Sequence, residues 1–109
     1  MIRINVKKEN DKIKKITLYG HADYQEYGKD IVCAAVSATY LCTVNAILSF
    51  DDKAIEINNN DDLQEIVVIN DSDITITLLD NMVRCLESLE RQYPKNVNLD
   101  KEEKQWFNF

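Results

Sequence analysis

Residues 31–50 read Ile-Val-Cys-Ala-Ala-Val-Ser-Ala-Thr-Tyr-Leu-Cys-Thr-Val-Asn-Ala-Ile-Leu-Ser-Phe, a run without one charged side chain. Its length suits either a bilayer crossing or a core helix, and the choice between them decides the fold. Alanine, serine and threonine dominate it, Asn45 interrupts it, and it holds only two leucines. Asp30 precedes it and Asp51-Asp52 follow it, so neither end carries the cationic anchor of a membrane span. The stretch therefore reads as a helix buried in a soluble core, open to a second subunit on its far side. Ala34, Ala35 and Ala38 give it a thin surface that lets a neighbour approach closely.

Upstream, residues 2–7 alternate apolar and polar side chains (Ile2, Ile4, Val6), and residues 13–19 repeat the pattern less cleanly. Glu-Asn-Asp-Lys lies between them, so the pair reads as a hairpin. Downstream, residues 54–57 and 63–69 read as two further strands joined by Asn-Asn-Asn-Asp-Asp. Leu78, Leu79, Met82, Leu86, Leu89 and Tyr93 then recur at helical spacing. A helix over residues 73–92 follows, capped by Asp71 or Ser72 and closed before Pro94. A short extended piece over residues 97–99 leads into a charged tail, residues 100–109, that carries Trp106, Phe107 and Phe109. The order β-β-α-β-β-α predicts a single α+β domain over residues 1–99, a mixed sheet covered by two helices. Neither a repeat nor a linker appears.

The only histidine and the only two glycines fall together in residues 20–33: Gly20, His21, Gly28, and at the end of the window Cys33. Imidazole accepts a proton near neutral pH, and a thiol that loses one is a strong nucleophile. His21 lies twelve residues before Cys33, and a loop of that length can return the ring to the sulfur. Asp30 is expected to cap the long helix, which puts Cys33 in its first turn. There the unpaired N–H groups and the helix dipole favour a thiolate and an oxyanion. Ser37, four residues on, shares the face of Cys33 and either bonds the reacting groups or bonds its own helix backbone. Asp30 either caps the helix or orients His21. Gly20 and Gly28 are hinges for a lid, or ordinary turn glycines.

Thirteen basic and nineteen acidic residues leave a net charge of −6, which disfavours nucleic-acid binding and suits a basic protein or peptide. Three cysteines cannot all pair within one chain. The N-terminus has no apolar leader stretch, so free thiols in the cytoplasm are expected. Cys42 and Cys85 fall within helical patterns and are expected to pack as small apolar residues. A zinc site from His21, Cys33 and Cys42 lacks both a C-x-x-C pair and a second histidine. No metal and no organic cofactor is expected.

The block Gly20-His21-Ala22, Gly28, Asp30-Ile31-Val32-Cys33-Ala34-Ala35-Val36-Ser37 strongly resembles the ribosomal-processing cysteine protease Prp family of Firmicutes and related bacteria. The hairpin before it, the alanine-rich helix after it and the final helix ending Tyr93-Pro94 fit as well. The resemblance implies an endopeptidase that removes the N-terminal extension of a large-subunit ribosomal protein of the L-twenty-seven type, cutting after phenylalanine. It implies a homodimer with a mobile loop between base and nucleophile. By matching position, His21 is the base and Cys33 the nucleophile, with Asp30 and Ser37 in support. Gln25 stands where many members have glycine, and the turn over residues 58–62 and the tail after Leu99 depart from the pattern. Two other readings fit the same residues: a ribosome-associated module that holds the extension uncut, and a redox-active thiol protein. The second lacks a resolving cysteine near Cys33.

Overall fold

The computed structural model describes residues 1–20 and 27–104, giving only the backbone for 27–30. Five strands and two helices follow in the order β1 (Ile2–Glu9), β2 (Lys12–Tyr19), α1 (Tyr27–Phe50), β3 (Ile55–Asn59), β4 (Leu63–Val68), α2 (Asp73–Gln92) and β5 (Val97–Lys104). The sheet order is β3-β4-β2-β1-β5, antiparallel throughout except for the parallel β1/β5 pair. The α+β expectation, a mixed sheet with two helices over it, holds.

Alternation places Ile2, Ile4, Val6, Leu18, Ile66 and Val97 on one face of the sheet, where they join Val36 and Ile47 of α1 and Leu79, Met82 and Leu86 of α2 in one buried cluster. Both helices therefore cover the same face, and polar side chains line the other. The β1–β2 turn places Asn10 (φ 52°) and Asp11 (φ 65°) in the left-handed region, a combination Asn and Asp tolerate and two-residue hairpins require. Lys8 pairs with Ile13 but Lys7 with Lys15, so Lys14 bulges out of the ladder. That extra residue lets Ile13 and Ile16 both face the core despite their odd spacing, and explains why the second strand alternates less cleanly.

α2 spans the residues its periodicity predicts, with the Ser72 hydroxyl accepting from Thr75 N–H at 3.4 Å. Three features differ from expectation. β5 runs on to Lys104, each residue of β1 finding a partner along it, so residues 100–104 belong to the sheet. Trp106, Phe107 and Phe109 lie outside the described residues. α1 starts at Tyr27 rather than after Asp30. A single glycine costs a helix about 1 kcal/mol relative to alanine, too little for Gly28 to stop a helix whose later turns bury a stripe of side chains. The third difference is burial: Val32, Val36, Tyr40, Val44 and Ile47 are buried, while Ile31, Leu41 and Phe50 stand 47, 55 and 67 % exposed. A two-helix layer over one sheet face covers one stripe of each helix, and α1 is apolar nearly all round. Its far side is thus left open by the described residues.

Candidate active site

Cys33 is half-buried and packs against the core beside Val32 and Val36, which point into it. It also lines an open cleft of about 250 Å³. Three parts of the chain build this cleft. The end of β2 brings Leu18, Tyr19 and Gly20, α1 brings Cys33, Val36 and Ser37, and the β3–β4 turn with the start of β4 brings Asp61, Asp62 and Gln64. Ile2 completes the wall. The register explains the meeting: Tyr19 pairs with Leu63, so the turn that precedes Leu63 must sit beside the residue that follows Tyr19.

That following residue is Gly20, whose N–H donates to the Asp62 carbonyl at 3.2 Å. Its φ is +100°, and a Cβ there would lie 2.6 Å from the Met1 carbonyl oxygen. Glycine is needed here for space and for backbone conformation together. Gly20→Ala is expected to lower stability by about 2 kcal/mol, since a left-handed φ and a backbone clash both count against a side chain. Chemical denaturation checks this; an unchanged midpoint would mean that β1 shifts at no cost.

Of the residues singled out by sequence, Cys33, Ser37 and Gly20 meet in the cleft. His21 lies outside the described residues, although the residue bonded to it lines the cleft. Asp30 falls in the first turn of α1, so the helix is not capped by it, and Gly28 is helical rather than part of a loop. Cys33 accordingly lies in the second turn. The N–H groups that lack a partner within the helix belong to its first turn, and Cys33 is beyond them. The expected thiolate site at the first turn must therefore be moved back by about one turn.

Thr39 and Thr43 donate their hydroxyls to the carbonyls of Ala35 and Thr39, each at 2.8 Å. Ser37 does not do so; among the described residues no hydrogen bond holds its hydroxyl, and the residue is exposed in the cleft. Cys42 and Cys85 are exposed rather than packed in the core, and share a shallow depression between α1 and α2. Periodicity could not orient Cys42, which sits on a helix apolar on every side, whereas Cys85 falls off the α2 stripe of Leu79, Met82, Val83 and Leu86. Among the described residues no group of three metal-ligating side chains occurs.

Sequence reading missed Asp61, Asp62, Tyr19 and Gln64 as cleft residues. No local signal could have found them, because the turn is fixed beside the end of β2 only once β4 pairs with β2.

The family described as Cysteine protease Prp matches residues 1–98. The chain belongs to that family. Prp enzymes are cysteine proteases, and so is this chain. It is 32 % identical over 106 residues to the ribosomal processing cysteine protease Prp of Staphylococcus aureus, covering 92 % of this chain and 98 % of the relative. The crystal structure of the Staphylococcus aureus Prp with a substrate peptide superposes with a TM-score of 0.85 at 30 % identity, covering 94 % of this chain and 100 % of that one. A second structure of that enzyme, with a covalently linked product peptide, gives 0.84 at 31 % identity over the same shares. The Prp fold and the five-stranded sheet described above are the same architecture.

Proposed function

We propose that this Prp-family chain trims the N-terminal extension from a large-subunit ribosomal protein of the L-twenty-seven type, cutting after a phenylalanine with Cys33 as nucleophile and His21 as base. The observation that carries it is Cys33 lining an open cleft whose rim is Gly20, the residue bonded to His21. The named relatives process ribosomal proteins, and one has been seen with a peptide covalently linked. Ile2, Leu18 and Val36 give the cleft an apolar wall, suited to the ring that precedes the scissile bond.

In the mechanism, His21 takes the Cys33 proton and the thiolate attacks the carbonyl carbon, whose C=O electrons move to oxygen. As the tetrahedral species collapses, the C–N bond breaks and His21 protonates the departing amine. Water, deprotonated by His21, then hydrolyses the thioester and returns the thiol. Ser37, one turn from Cys33, donates a hydrogen bond to substrate, and Asp30 supports the pair. Ser37→Ala is expected to lower kcat/KM about tenfold, in line with the loss of one hydrogen bond to a polar partner. Peptide hydrolysis kinetics check it, and an unchanged value would remove Ser37 from the site.

The enzyme acts in the cytoplasm, where thiols stay reduced. It acts as a homodimer that covers the open side of α1 around Ala38 and Leu41; a monomer mass by light scattering would remove this part. Incubation with the ribosomal precursor, followed by mass spectrometry, tests the whole reading. A single cut after phenylalanine is expected, and intact precursor after prolonged incubation would refute proteolysis at that site.

A further inference from the structure

We propose that the turn bearing Asp61 and Asp62 selects substrates by charge, receiving a lysine or arginine side chain that flanks the scissile bond. This deepens the proteolytic reading and rests on it. Both carboxylate-bearing residues line the Cys33 cleft, and no described residue lining it carries a positive charge. Among the described lining residues, a substrate cation placed there meets the Asp61 carboxylate and no positive side chain.

The turn is held in position rather than merely near. Asn60 N–H donates to the Leu63 carbonyl at 2.8 Å, closing it, and Gly20 N–H ties the Asp62 carbonyl to the end of β2. From the other side the Tyr40 hydroxyl, on α1, donates to Asn59 Oδ1 at 3.5 Å. The element that carries Cys33 and the strand that leads to His21 are thus both attached to the turn that carries the carboxylates. Glu65, the next acid along β4, is already engaged: Asn58 Nδ2 donates to it at 3.1 Å and Lys15 Nζ lies 3.4 Å away. Those contacts hold its carboxyl below the usual carboxylate range. Among the described residues no hydrogen bond or ion pair holds the Asp61 carboxylate. Tyr19, 54 % exposed on the same wall, offers a ring face to a cation as well.

A substrate of matching chemistry follows from the relatives' role in ribosomal processing. A ribosomal protein must neutralise RNA phosphates, so its segments are rich in lysine and arginine. The chain itself carries a net charge of −6. Overall charge steers such a partner toward the enzyme; the turn converts that attraction into a preference at one position of the peptide.

The test uses the full chain and a fluorogenic peptide copied from the ribosomal extension, with lysine, glutamine or glutamate placed in turn at each position flanking the scissile bond. At one position lysine is expected to be preferred. Asp61→Asn is expected to lower kcat/KM for the lysine peptide about 2- to 5-fold, the range of an exposed ion pair, and to leave the glutamine peptide unchanged. Asp61→Lys should make the glutamate peptide the better substrate, and roughly 1 M salt should flatten all of these differences. Asp52→Asn, an exposed acid outside the cleft, should change nothing. An equal effect on all three peptides, or none, would overturn charge selection while leaving proteolysis intact. Should the wild type cleave no peptide, the proteolytic reading fails, and fluorescence anisotropy with the same peptides then decides charge selection separately. A lysine preference lost in Asp61→Asn supports it, and equal binding overturns it.

Discussion

Cys33→Ala is expected to abolish cleavage of the ribosomal extension, lowering kcat on the order of 10⁴-fold or more, because no neighbouring group can form the thioester in its place. The side chain is half-buried at the edge of the core, and alanine removes only the sulfur, so the fold should survive with little loss. Circular dichroism and the denaturation midpoint verify that the loss is chemical. The other two thiols provide the contrast. Cys42 and Cys85 are exposed and open on the groove between α1 and α2 rather than on the cleft. Their alanine variants should keep activity within about twofold, the usual limit for surface substitutions. Full activity in Cys33→Ala would end the assignment of Cys33 as the nucleophile. Losses shared equally by all three variants would point to a general thiol effect and away from a single nucleophile.

How much of this was legible in the sequence varies by element, for physical reasons. α2 was read to its ends because it has one apolar stripe, a serine cap and a closing proline, three independent signals in agreement. α1 was recognised as a helix, but its orientation was not. Apolar side chains on every side carry no phase, so an open side could be expected but not that Leu41 and Cys42 lie on it. Its start was misplaced because Gly28 and Lys29 look like loop, whereas one glycine is a minor cost beside the burial of Val32, Val36 and Tyr40. β5 was nearly invisible. Val-Asn-Leu-Asp-Lys-Glu-Glu-Lys pairs along one edge only, with β1, and beyond Leu99 it buries nothing; strand formation there is decided by the neighbour rather than by its own residues.

The site divides the same way. Cys33 and Ser37 share a face because four residues are about one helical turn, a relation that sequence spacing states directly. Their meeting with Gly20 and Asp61 depends on β4 pairing with β2, which no local pattern encodes. In sequence Gly20 is a lid hinge or an ordinary turn glycine, yet its Cβ position is occupied by the Met1 carbonyl, contributed by a residue nineteen positions away. Close approach of distant backbone is a tertiary fact, and a single chain offers no sign of it.

Replacing His21 is expected to be as damaging to turnover as replacing Cys33, but to leave a different signature on the thiol. Without a base the attack on the carbonyl must begin from a thiol that loses its proton to water, and the departing amine must leave without an acid. Each loss costs about 10²- to 10⁴-fold, so His21→Ala should reduce kcat/KM by at least about 10³-fold. The discriminating measurement is the rate of Cys33 alkylation against pH, made in a Cys42→Ala/Cys85→Ala background so that one thiol reports. If imidazole and sulfur form a pair, the rate of alkylation near neutral pH should fall when His21 is lost. α1 beginning at Tyr27 sharpens this expectation. Cys33 stands beyond the unpaired N–H groups of the first turn, so the helix end alone is a poorer source of activation than its place in the sequence suggested, and more of the work falls to the imidazole. A curve identical with and without His21 would show that the two groups do not meet. Cys33 would then have to draw its reactivity, if any, from the helix alone.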